Sequence, residues 1–287
     1  MTSGAQKGQC YVYEEGRRGI NLKGPRPIAN RPDYYQLNWH QNPRAMEEFF
    51  GKVERESAPV IRDIRAGRGL PTGEQRSWLS VFVAIHYLRV PHMREVMNDF
   101  INRVSHTMFA VAVAHPGGLE SMLIQAGQAT PETATEAAKV MMEAMPDLTF
   151  QYAKNDDASM LLAQLPDVMR ALDEMNLYLG VARPGHSFIT GDRPVSTFAP
   201  GHGGWETGLG MQHVEVALPL ESHICLFYKW TGKGGSYWVE PEQVESVNQR
   251  TARYSTRLLV GTSKAQVQRF RDWQQREPGA APGRASE

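Results

Sequence analysis

The chain's hydrophobic period switches from helical to β near Met175, and that change limits the folds open to it. Between about Pro43 and Met175 apolar residues recur at helical spacing. After Met175 they come in short runs, "NLYLGVA", "SFITG", "HVEVALPL", "HICLFYKW" and "SYWVE", each bounded by Gly, Pro, Asn or Ser. A period of 3.6 residues lines one face of a helix and a period of two lines one face of a strand, so the two parts belong to different layers. The β runs alternate with turns and not with helices, which points away from repeated crossover units. The fold class expected is α+β, with a mostly antiparallel sheet packed against a helical, bundle-like insertion.

Particular stretches refine this. "CYVYEEGRRGINLKG" reads as a strand, a Gly-centred turn and a second strand. Met46, Phe49, Phe50, Val53, Val60, Ile61 and Ile64 fall on one helical stripe, with Pro59 placed to kink it. Trp78 to Leu88 is apolar nearly all round, as in a helix buried in a bundle, and Pro91 predicts a break. Thr130 with Pro131, and Asp156 or Asp157, open two more helices. "PEQVESVNQRTARYSTRLLVG" reads as one helix from Pro241 that turns Val244, Val247, Ala252 and Tyr254 toward a core, and "SKAQVQRFRDWQQ" follows it. With no internal repeat and no clean linker, we expect one α+β domain over 1–275, a helical subdomain over about 43–175, and a disordered tail over 276–287.

Composition excludes several functions. Lys plus Arg and Asp plus Glu number 31 each, so no global field draws the chain to nucleic acid or to an anionic membrane, and any such binding must come from a local patch. Cys10 and Cys225 have no metal-ligand spacing and read as reduced, buried thiols, neither a zinc site nor a disulfide scaffold. No window approaches the roughly 18 apolar residues of a membrane span. The expected location is the cytoplasm.

The strong catalytic signatures, GxxxxGK[ST], GxSxG, HExxH and a strand-to-helix GxGxxG, are absent. "GHGGWETGLG", Gly201 to Gly210, has the glycines to cradle a phosphate with backbone N–H groups, but it opens no helix and reads rather as a mobile β-connection. His202, His213 and His223 match no compact metal pattern. Glu54 lies on a helix with one apolar face, either among solvated charges or turned inward. In "AIHYLRVPHMRE", near His86, Arg89 follows an apolar turn and is expected at the core, where a guanidinium needs a carboxylate or an anionic ligand; Arg94 is close behind it. In "FITGDRPV", Asp192 ends an apolar run, either capping its own turn or facing a cleft and one of those arginines.

Taken together, "CYVYEEG", "KVERESAPVIRDI", "AIHYLRVPHMRE", "FITGDRPV", "VALPLESHICLF" and "VESVNQRTARYSTRLLVG" resemble the family catalogued as domain of unknown function 4238 over about Cys10 to Ser263. The resemblance singles out Glu54, Arg89, Arg94, Asp192, Pro194, Pro219 and Asn248. Two departures stand out: the family's His-x-Val-Pro segment has no copy here, and Gly191 stands where the family usually has Ser.

Two functions follow. One is a hydrolase acting on a phosphate-containing substrate, a nucleotide or nucleic acid, with Asp192 and Glu54 as catalytic carboxylates or holders of a divalent cation, and Arg89, Arg94 and Asn248 binding the substrate. The alternative is a non-catalytic binding or regulatory protein in which arginines and carboxylates form a structural network.

Overall fold

Aromatic and β-branched residues on either side of "EEGRRG" pair as the sequence predicts. Strand β1 (Cys10–Glu14) runs antiparallel to β2 (Ile20–Lys23), with Tyr11 opposite Leu22. The structure, a computed structural model, describes residues 9–24, 45–88, 91–145, 156–200 and 208–276, the side chains of 91–100 and 156–160 excepted. The chain divides into two compact units, Met1–Val90 with Ala158–Glu287, and Pro91–Asp157.

In the first unit, α1 (Ala45–Arg65) buries Met46, Phe50, Val53, Ser57, Val60 and Ile64, a stripe stepping by three and four residues, and it runs through Pro59 as one helix. Ser57 Oγ donates to the Trp78 carbonyl of α2 (Gly73–Leu88) at 3.0 Å, so the polar residue of the stripe is satisfied. Helix α6 (Asp156–Glu174) ends where Arg76 of α2 donates to the Leu172 and Met175 carbonyls at 2.7 and 2.9 Å, a cation on the orphan acceptors of a helix C-terminus.

The β runs form two sheets where one was expected. The larger takes the order β5 (Ser196–Phe198), β6 (Glu215–Glu221), β7 (Ile224–Lys229), β3 (Asn176–Ala182), β8 (Gly235–Val239), antiparallel throughout except that β8 runs parallel to β3. Pro219 lies in β6 opposite Cys225, beside a register shift before Glu221. The smaller sheet, wholly antiparallel, has the order β2, β1, β9 (Leu258–Gly261), β4 (Thr190–Gly191).

Helix α7 (Pro241–Tyr254) joins the two cores. Val244 and Val247 pack with Phe188, Phe227 and Val239 on the larger sheet, and Ala252 packs with Ile189, Leu259 and Phe270 on the smaller. Phe270 comes from α8 (Lys264–Arg276). The helix expected to run from Pro241 to Gly261 therefore stops at Tyr254, and "LLVG" is the central strand β9. Leu258 and Leu259 gain more by burial between β1 and β4 than by extending an amphipathic helix into solvent.

The second unit holds α3 (Pro91–Ala114), α4 (Gly118–Gln125) and α5 (Ala134–Ala144), packed through Leu119, Leu123 and Ala138. The helical stretch expected as one subdomain over about 43–175 thus contributes α1, α2 and nearly all of α6 to the first unit. Residues 277–287 lie outside the described residues.

Candidate functional site

Among the described residues, no contact joins Asp192, Glu54 and Asn248 into one cluster. Asp192 is half-buried, and its carboxylate caps the chain entering β9: Oδ1 accepts the N–H groups of Arg257 at 3.2 Å and Leu258 at 3.0 Å, and Oδ2 accepts the Thr256 hydroxyl at 3.2 Å. Glu54 is exposed on α1, so the inward projection considered for it is not what α1 adopts. Arg89 and the Arg94 side chain fall outside the described residues, and so does His202. His213 is exposed, and His223 lies 3.6 Å from Glu221 Oε2. Among the described residues no three His, Cys, Asp or Glu side chains gather as a metal cluster.

Asn248 is 1% exposed on α7. Its Oδ1 accepts the Ile189 N–H at 2.8 Å and its Nδ2 donates to the Ser187 carbonyl at 2.9 Å. The side-chain amide takes the place of a neighbouring strand, which explains why "SFITG" contributes only Thr190 and Gly191 to a sheet. Asn248 also lines a cavity of about 400 Å³ with His186, Gln266 and the exposed Glu245–Arg269 ion pair.

The densest charged cluster lies elsewhere. Glu215 opens β6 and pairs across the strands with Lys229, which ends β7. Lys229 Nζ lies 2.7 Å from Glu215 Oε2, and Arg250 Nη2 of α7 lies 2.7 Å from Glu215 Oε1. Burial pushes the Glu215 carboxyl up, but the charges of Arg250 and Lys229 and their hydrogen bonds outweigh it, so the group sits below the ordinary carboxylate range. The Lys229 ammonium also stands 5.5 to 5.9 Å from the ring centres of Phe227, Tyr178 and Tyr237. Two cations against one carboxylate leave a net charge of +1, and Arg250 Nη1 is buried with no hydrogen-bond partner among the described residues. Gln243 Nε2 donates to the Tyr237 hydroxyl at 3.1 Å, and burial holds that phenol well above its ordinary range, as a neutral group.

Lys229 opens onto a cavity of about 390 Å³ walled by Tyr178, Tyr237, Ser236 and, from the turn Thr231–Gly235, by Thr231, Gly232, Gly234 and Gly235. The carbonyl just before this turn and the first one within it are tied back to β3: Trp230 O accepts from Asn176 Nδ2 at 3.2 Å, and Thr231 O from the Tyr178 hydroxyl at 2.9 Å. In a trans peptide the following N–H points opposite its carbonyl, so the amides of Thr231 and Gly232 face away from those donors. Gly232, Gly234 and Gly235 all have positive φ, and a Cβ on Gly234 would lie 2.7 Å from the Leu177 carbonyl, which fixes glycine there.

Sequence reasoning missed Glu215, Lys229, Tyr237 and Arg250. Arg250 could have been found, because it falls three residues after Val247 and four before Tyr254 on the buried stripe of α7. Arg193, 2% exposed beside Asp192, was passed over for its neighbour. Of the thiols, Cys225 is fully buried and pushed well up by that burial, whereas Cys10 is half-buried, not buried as expected.

No described helix is long and apolar enough to cross a membrane. Neither curated proteins nor solved structures give a match. One family model, described as "Protein of unknown function (DUF4238)", matches residues 3–265, and the chain, with nearly its whole length covered, belongs to that family.

Proposed function

We propose that the protein is a non-catalytic binding protein for an anionic ligand, which it takes through a phosphate or carboxylate group at Lys229 and the Thr231–Gly235 turn. The observation that carries this is the surplus positive charge of the Arg250–Glu215–Lys229 cluster at the wall of a cavity of about 390 Å³. An anion in that cavity would complete the charge compensation that Glu215 alone leaves short, in surroundings where ring faces and burial reduce screening by water. A cytoplasmic location belongs to the same proposal.

Hydrolysis of a phosphate-containing substrate by Asp192 and Glu54 is the weaker reading. The Asp192 carboxylate is engaged by three donors as a cap, and Glu54 is exposed on α1.

Thermal unfolding with inorganic phosphate or acetate tests the binding reading. A ligand at a hundred times its Kd stabilises the native state by about 2.7 kcal/mol. We expect a concentration-dependent rise in Tm that Lys229→Met abolishes and the exposed substitution Lys233→Glu reduces. No response of the wild type to either anion sinks the reading.

A further inference from the structure

The cavity at Lys229 adjoins an open sheet edge. Strand β8 closes the order of the larger sheet and pairs with β3 on one side; among the described residues no strand pairs with its other side. Ser236 and Trp238 alternate with Tyr237 and Val239 along it, and both are exposed, Trp238 by 57%. Long edges with exposed aromatics are normally covered or blunted by charge, because their unpaired backbone groups accept another strand. The turn that carries the proposed anion site runs directly into the first residue of this edge.

We infer that the ligand is the C-terminal segment of an extended peptide, which adds to β8 as an antiparallel strand and places its free carboxylate at Lys229 and the Thr231–Gly235 turn. This rests on the anion-binding reading above. Polarity connects the two features. A strand antiparallel to β8 ends at the N-terminal end of β8, where the glycine turn and Lys229 lie, so a chain terminus and its negative charge arrive together at the positive cavity. Backbone hydrogen bonds along the edge would supply affinity, and alternate side chains would meet Trp238, which favours an apolar residue there. The cavity is suited to a terminal carboxylate and its last side chain, with Tyr178 and Tyr237 as the apolar walls.

The test uses the full chain and a random peptide library displayed with free C-termini, followed by titration of a selected peptide as the free acid and as the C-terminal amide. We expect selection of peptides with an apolar residue near the end, binding of the acid, and loss of about tenfold or more in the amide. Amide hydrogen exchange should slow at Gly235–Val239 when the acid binds. Lys233→Glu, an exposed change that leaves the core untouched, should weaken the acid and spare the amide, which keeps the test open if Lys229→Met fails to fold. Equal affinity of acid and amide, or protection elsewhere than β8, overturns the inference, as does a peptide-free dimer protected along β8. If phosphate or acetate stabilises the protein while the library yields nothing, strand addition falls and anion binding stands. If no anion acts, both fall.

Discussion

Asp192 and Leu258 hold each other twice: the Asp192 N–H donates to the Leu258 carbonyl at 3.3 Å, and the Leu258 N–H donates to Asp192 Oδ1 at 3.0 Å. The turn "GDRPV" thus holds Thr256 to Leu258, the chain between α7 and β9, from more than sixty residues away in sequence. The carboxylate does for the chain leaving α7 what a hydrogen-bonded cap does for a helix end, while also setting the register of β4 against β9.

From this, Asp192→Ala should destabilise the protein by about 2–3 kcal/mol, since hydrogen bonds to a charged acceptor contribute roughly 1.5–3 kcal/mol and the site is half-buried. Asp192→Asn, which keeps an acceptor in place of Oδ1, should lose about 1 kcal/mol. Urea unfolding measures both. Near-equal losses would mean that the backbone donors find other acceptors.

Gly191 presents a second expectation at the same turn. A Cβ there would meet the Ser255 hydroxyl and lie 2.6 Å from the Leu258 carbonyl, a backbone atom that moves only with β9. Gly191→Ala should therefore cost about 1–3 kcal/mol despite an ordinary φ. Gly191→Ser should cost no less. A neutral Gly191→Ser in denaturant unfolding would show that β9 shifts freely.

Glu215 gives the acid limit. Its folded pKa lies below its unfolded value, so its contribution to stability is present above the unfolded pKa of about 4.3 and is lost as pH falls through the lower folded value. Glu215→Gln should be less stable than the wild type by about 3 kcal/mol at neutral pH, because two partly buried cations lose their counter-charge. The difference should shrink below about pH 4. A pH-independent difference in unfolding free energy would assign the loss to packing.

Asn248→Ala should cost about 2–3 kcal/mol by leaving the buried Ile189 N–H without its acceptor. The Ser187 carbonyl keeps Gln266 Nε2 at 2.7 Å, so the damage should centre on Ile189. Hydrogen exchange resolves this: a fast Ile189 amide beside a slow Thr251 is the expected pattern, and uniform acceleration would indicate global loss instead.

The hydrophobic period, joined by a Gly-centred turn in the β1–β2 hairpin, determined the α+β class, that hairpin, the stripe of α1, and the core faces of α2 and α7, because each depends on neighbours a few residues apart and on burial of one face. It did not determine where α7 ends. "STRLLVG" suits a helix locally, and only pairing with β1 and β4 together with the Asp192 cap makes its second half a strand. Nor did it separate the β runs into two sheets, or reduce "SFITG" to two paired residues; both required knowing that α7 passes beside them with Asn248 turned inward. The candidate site is the extreme case. Glu215, Lys229 and Arg250 are brought together from β6, β7 and α7, and charge pairing at that range leaves no local pattern. A sequence records the period of each element, but the partner of a buried charge is chosen by which elements pack together.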